Sequence, residues 1–142
     1  IISFARGNVG KAISLATDEE YRKCMDDVTA LATRVGDYGQ AQVRDKAAEL
    51  AEGYRKNELD LKEYFDFLTL WYRDVLLYKS TADLNRIYYK THIREIKRQA
   101  ARGRYSDVYD VLSCIDETRK RIRSNIDPEL TLTMLMQAMK EI

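Results

Sequence analysis

Apolar residues recur along most of this chain at steps of three and four, the signature of amphipathic helices. From Tyr21 onward, Cys24, Met25, Val28, Leu31, Ala32 and Val35 fall on one face and predict a helix ending at Gly36. The preceding "TDEEY" supplies its start, with Thr17 as N-cap and Glu20 three residues on as the other half of a capping box. A short helix is expected upstream, over Val9 to Ala16. Downstream, Val43, Ala47, Leu50 and Tyr54 mark a helix from about Gln40 to Lys56. Asn57 is expected to cap a longer helix, Glu58 to Lys79, on which Leu61, Tyr64, Phe65, Leu68, Trp71, Tyr72, Val75 and Leu76 cover a wide arc. So broad an apolar face belongs to the central helix of a bundle. "STADLN" breaks the pattern. Helices follow over Thr91 to Arg102, stopped by Gly103, and over Ser106 to Arg123. "IDPE" opens the last one, with Asp127 as N-cap and Pro128 at the first helical position, where its missing N–H costs nothing. Leu132, Leu135, Met136 and Met139 line its buried side. With one proline and almost no alternating stretch, the chain reads as all-α, a compact bundle of about six to seven helices.

Composition narrows the function classes. Lys and Arg total 24 against 23 Asp and Glu, a net charge of +1, which leaves no electrostatic case for nucleic acid or an anionic membrane as the main partner. No run of roughly 18 apolar residues is present to span a membrane, and no signal-peptide pattern opens the chain. Cys24 and Cys114 sit far apart within helical patterns and read as small core residues in a reducing compartment, which makes a cytoplasmic protein the plain expectation. The chain opens on Ile1 and runs straight into patterned sequence, as a piece of a longer protein would.

Candidate chemistry is sparse. "RGNVGKAIS", residues 6 to 14, has the glycines and lysine of a phosphate-binding loop but not the spacing. Only Asn8 and Val9 separate Gly7 from Gly10, and Ala12 stands where a magnesium-binding hydroxyl is required. A glycine-marked turn into a helix explains it better, and neither binding nor hydrolysis of ATP is expected. The single histidine, His92, excludes two-histidine metal sites and reads as a surface residue among Lys90, Arg94 and Lys97. The carboxylates of Asp18, Glu19, Glu20, Asp26 and Asp27 crowd an N-terminal helical stretch, where the helix dipole favours them. Neither a catalytic set nor a cofactor or metal site emerges. The basic group Arg119, Lys120, Arg121 and Arg123 suits a helix C-terminus, and also a phosphate backbone, but has no aromatic platform interleaved with it. The ten tyrosines are the unusual feature: Tyr88, Tyr89, Tyr105 and Tyr109 gather around loops, where such rings suit either core edges or protein interfaces. In the central helix Trp71 is expected in the core, and Arg73 and Asp74 are each expected to reach a partner on a neighbouring helix or the helix boundary of the core, a structural ion pair suiting them better than a catalytic one.

Three stretches then line up with a known family. "FARGNVGKAISLATDEEY", "LTLWYRDVLLYK" and "RKRIRSNIDPELTLTMLMQAM" together resemble the C-terminal part of the bacterial DNA polymerase III delta-prime subunits, in the clamp-loader branch of the AAA+ proteins. The likeness covers nearly the whole chain in the family's order, and its specificity lies in the combination. Those features are a glycine-flanked lid helix, an aromatic-Arg-Asp central helix, and an Asn-x-x-Pro lead-in to a leucine-rich last helix. Related motor subunits carry a sensor arginine in a Gly-Ser-x-Arg-x-Ala-Leu lid helix. Here Gly10 occupies that place and Lys11 follows it, as suits a non-hydrolysing member. The resemblance implies that residues 1–16 end an AAA+ lid domain and that residues 17–142 form the collar that holds the subunit in its ring. It further implies a non-enzymatic part of the polymerase III holoenzyme, itself a nucleotidyltransferase. Partners would be the delta and gamma/tau-type subunits, with DNA contact minor or absent. The rival reading is a free-standing helical adaptor or nucleic-acid-binding module using Arg119 to Arg123.

Overall fold

In the computed structural model, which describes residues 19–142, six α-helices follow one another with no strand among the described residues. They are α1 (Glu19–Arg34), α2 (Gln40–Arg55), α3 (Leu61–Thr81), α4 (Ile93–Arg102), α5 (Tyr105–Arg123) and α6 (Pro128–Lys140). Short 3-10 turns at Val35–Asp37, Leu84–Arg86 and Lys90–His92 join some of them. The all-α bundle expected from the periodicity is what forms. The upstream helix, the glycine-lysine stretch, the Thr17 half of the capping box and the proposed boundary at residue 16 lie outside the described residues.

Helix α3 is the spine: α1, α4 and α5 all pack against it, and α6 in turn packs against α2 and α5. Its wide apolar arc makes this possible. Tyr64, Phe65, Phe67, Leu68, Trp71, Tyr72 and Val75 are all buried, so the helix presents apolar surface to three neighbours at once. Each fully buried large apolar side chain contributes about 1.5–3 kcal/mol by transfer from water. The other helices bury one stripe each: Val43, Ala47, Leu50 and Ala51 on α2, Val108, Val111, Ile115 and Ile122 on α5, and Leu132, Leu135, Met136 and Met139 on α6.

One boundary differs from the sequence expectation. Asn57 does not cap α3. It adopts a left-handed conformation (φ 58°) just beyond the end of α2, a place where Asn is tolerated because its short polar side chain carries little steric penalty. The cap is Asp60, whose carboxylate accepts the Glu63 backbone N–H at 3.2 Å, so α3 starts at Leu61. Between them, the Gly53 carbonyl accepts the N–H groups of Glu58 and Leu59. A Cβ at Gly53 would come within 3.2 Å of the Leu59 Cβ, so the glycine is what lets this loop close over the end of α2. At the same end of the molecule, where Arg55 reaches Asp127 at 3.7 Å, a short turn through Asn125 (φ 59°) folds α6 back against α5. Asp127 then caps α6 by accepting the Glu129 N–H at 3.1 Å, with Pro128 in the first turn.

Candidate interaction surfaces

The aromatic-Arg-Asp segment of α3 divides into two interior anchors and one surface charge. Trp71 is completely buried, and its indole N–H donates to Gln99 Oε1 at 2.9 Å. Gln99 Nε2 donates in turn to the Ala32 carbonyl at 2.8 Å, so one polar chain ties α3, α4 and α1 together. Its members are all satisfied, the condition under which a buried polar network specifies a core rather than weakening it. Sequence reasoning does not single out Gln99. The available signal is its position on the Ile96–Ala100 stripe of an otherwise basic helix, since a lone amide on an apolar stripe needs a partner inside.

Asp74 is buried too, but it forms no ion pair. Its carboxylate accepts the backbone N–H of Tyr88 at both oxygens (3.1 and 3.0 Å) and that of Tyr89 at 2.8 Å. The expected salt bridge is thus replaced by a clamp on the connection between α3 and α4. Burial pushes the Asp74 carboxyl above its ordinary value, while the N–H groups of Tyr89 and Tyr88 and the charge of Lys90 pull the other way. Arg73 is exposed, with no ion-pair partner among the described residues.

The four loop tyrosines separate into two pairs. Tyr89 is interior, at 4 % exposure: its hydroxyl donates to the Phe67 carbonyl at 2.8 Å and its ring packs 5.3 Å from that of Trp71. Tyr88 is half-buried, edge-on to Tyr89 at 5.0 Å, with its hydroxyl turned toward Tyr21. Tyr105 and Tyr109, one turn apart at the start of α5, stay 46 % and 55 % exposed. Tyr105 still donates to the Lys79 carbonyl at 3.2 Å, and the Lys79 ammonium sits 5.0 Å from its ring. Tyr109 stands in the open.

A second apolar group, not singled out by sequence, sits at the opposite end of the α5–α6 hairpin. Ile126, Leu130 and Met134 are four residues apart, and each is between 45 % and 58 % exposed. Leu130 and Met134 share a face of α6, a spacing legible in "NIDPELTLTM", and Ile126 stands just before the Asp127 cap. The hairpin therefore carries large exposed apolar side chains near both ends, while its inner faces are buried.

The basic group at the end of α5 is partly neutralised from within. Arg119 reaches Asp66 at 2.9 Å and lies 5.8 Å from the Phe65 ring, and Arg121 reaches Glu117 at 3.4 Å. Lys120 and Arg123 remain as exposed cations. Among the described residues there is no cluster of metal-ligating side chains and no helix long and apolar enough to cross a membrane. Burial raises the thiols of both cysteines, Cys24 to about 12, which makes them poor nucleophiles.

A comparison with curated proteins and with solved structures gives no match. A family model described as "DNA polymerase III, delta subunit, C terminal" matches residues 39–141, a span running from the cap of α2 to the end of α6. It takes in the α3 spine, the Asp74 clamp and the whole α5–α6 hairpin. The chain belongs to this family, the C-terminal domains of DNA polymerase III delta subunits, a clamp-loader family of DNA replication.

Proposed function

We propose that this chain is the collar domain of a delta-prime-type clamp-loader subunit, a non-catalytic part that holds the subunit in its ring by helix-face contacts with delta and gamma/tau-type neighbours in the cytoplasm. The observation that carries the reading is the distribution of exposed apolar side chains. Tyr105 and Tyr109 mark one end of the α5–α6 hairpin, and Ile126, Leu130 and Met134 mark the other. A ring member meets two unlike neighbours through two different surfaces, a heterologous arrangement. Two separate apolar patches, each rimmed by charged residues, suit that need, and aromatic residues anchor such contacts well. Tyr88 and Tyr89 serve this role only indirectly, by fixing the connection between α3 and α4. In this reading residues 1–16 end an AAA+ lid.

Size-exclusion chromatography of the chain with and without its cognate subunits tests the proposal. The chain alone should elute as a monomer or weak dimer, and it should enter a larger complex when the neighbours are supplied. If it stays separate while the full-length subunit joins, the collar role fails. A tight homodimer burying Tyr105 and Tyr109 would instead establish the adaptor reading.

A further inference from the structure

A cleft of about 510 Å3 opens where the end of α2, the loop before α3 and the end of α5 meet. None of the patch residues lines it. Its size falls within the range of pockets that hold small ligands or a few residues of peptide. Leu59, Phe65 and Ile122 form an apolar floor, and Lys62, Arg119 and Arg123 stand around it. The one carboxylate on the wall, Asp60, is turned to its own helix as the cap of α3. Arg119 is shared with Asp66, which leaves Lys62, three-quarters exposed and 4.0 Å from that same carboxylate, and Arg123, which has no ion pair among the described residues. Phe65 and Ile122 are themselves buried, so the apolar surface open to a ligand is that of the half-buried Tyr54 and Leu59 above them, beside an excess of positive charge on a protein whose net charge is only +1.

We infer that this cleft captures a short acidic peptide segment of a partner protein, one apolar side chain packing on Tyr54 and Leu59 above the buried Phe65 and Ile122 while neighbouring carboxylates meet Lys62 and Arg123. Two features select a peptide of this kind. An apolar floor rewards burial of a leucine or aromatic side chain, which a phosphate backbone does not offer. The cations flank the floor instead of forming a stripe, so they match charges on either side of an anchor and not a line of phosphates. Leu59 is brought to the floor by the Gly53 loop closure, so the site is built by the same backbone feature that ends α2. The inference does not depend on the collar reading.

The test uses the whole chain, 15N-labelled, titrated with an immobilised-array-selected set of peptides in which one leucine or phenylalanine is flanked by aspartates and glutamates. A matched set has lysines in place of the acids. The acidic set should shift the amide signals of Leu59, Lys62, Phe65 and Arg123, and the basic set should not. Substituting Lys62→Gln and Arg123→Gln together should weaken binding at least tenfold while the thermal melt stays unchanged, because both side chains are exposed. The idea is overturned if no acidic peptide perturbs these signals at millimolar concentration, or if the double substitution leaves binding intact. It is equally overturned if a single-stranded oligonucleotide competes for the cleft as well as the peptides do.

Discussion

The side of the molecule built from α1, α3 and α4 and the hairpin of α5 and α6 solve the same packing problem to different degrees of completion. On the first side most buried polar groups are tied: Trp71 to Gln99, Gln99 to Ala32, Asp74 to Tyr88 and Tyr89, and Tyr89 to Phe67, the buried Tyr64 hydroxyl being an exception with no hydrogen-bond partner among the described residues. On the hairpin the inner stripe is equally dry, yet Tyr109, Leu130 and Met134 face outward with roughly half or more of their surface in water. A fold needs the first kind of arrangement, since a buried unpaired polar group costs more than a hydrogen bond returns. It has no need of the second. Exposed apolar side chains in two groups are surplus to folding, and that surplus is where partner contacts belong.

Trp71→Ala breaks the comparison most severely. Removing the indole leaves a cavity at the crossing of α3 with α4 and strips Gln99 Oε1 of its donor. The expected loss is roughly 3–5 kcal/mol from transfer and cavity terms. Urea melts followed by circular dichroism measure it. A loss below about 1 kcal/mol would contradict the placement of the spine.

Asp74→Ala comes next, with an expected cost of roughly 2–4 kcal/mol, because two backbone N–H groups lose their acceptor. Asp74→Asn sharpens the point through pH. Since burial raises the carboxyl in the folded state, the fold disfavours its ionised form. The group's contribution is full below the ordinary carboxylate value near ~4 and declines as pH rises through the raised folded value, then levels off. The stability gap between the native chain and Asp74→Asn should therefore narrow with rising pH across the mildly acidic range. A gap that widens with pH would show that the N–H clamp outweighs burial.

How far the sequence reveals all this depends on the kind of partner each residue has. The helices and the spine are legible because apolar period reports side-chain burial directly, and α3 has the widest arc. The start of α3 lies at Leu61 instead of Glu58 because Asn57 and Asp60 are both good capping types, and only the Gly53 closure decides between them. Asp74 is legible as a polar residue in an apolar segment but not as a clamp. Its partners are backbone N–H groups fourteen and fifteen residues away, and a backbone donor leaves no mark in the sequence. The tyrosines divide for a similar reason. In the broken segment after α3, Ile87 and Tyr89 alternate inward around Tyr88, a period of two over three residues, too short to read without the structure.

The smallest effect on stability, and the most informative for function, is expected on the hairpin. Tyr109→Ala and Leu130→Glu remove exposed side chains that the core does not use, so each should change the unfolding free energy by no more than about 0.5 kcal/mol. Binding should respond differently. Truncating an interface anchor costs about 2 kcal/mol or more, roughly thirty-fold in affinity. In a heterologous ring the two positions face different neighbours, so Tyr109→Ala should weaken attachment to one sister subunit and Leu130→Glu to the other. Pairwise mixing with each cognate subunit, read by analytical ultracentrifugation, separates the two losses. If both substitutions weaken the same pairing, the two patches form one surface and the ring geometry proposed for them is wrong. If either lowers the melting temperature by several degrees, that side chain belongs to the core, and the contrast between a finished side and an unfinished one fails at that position.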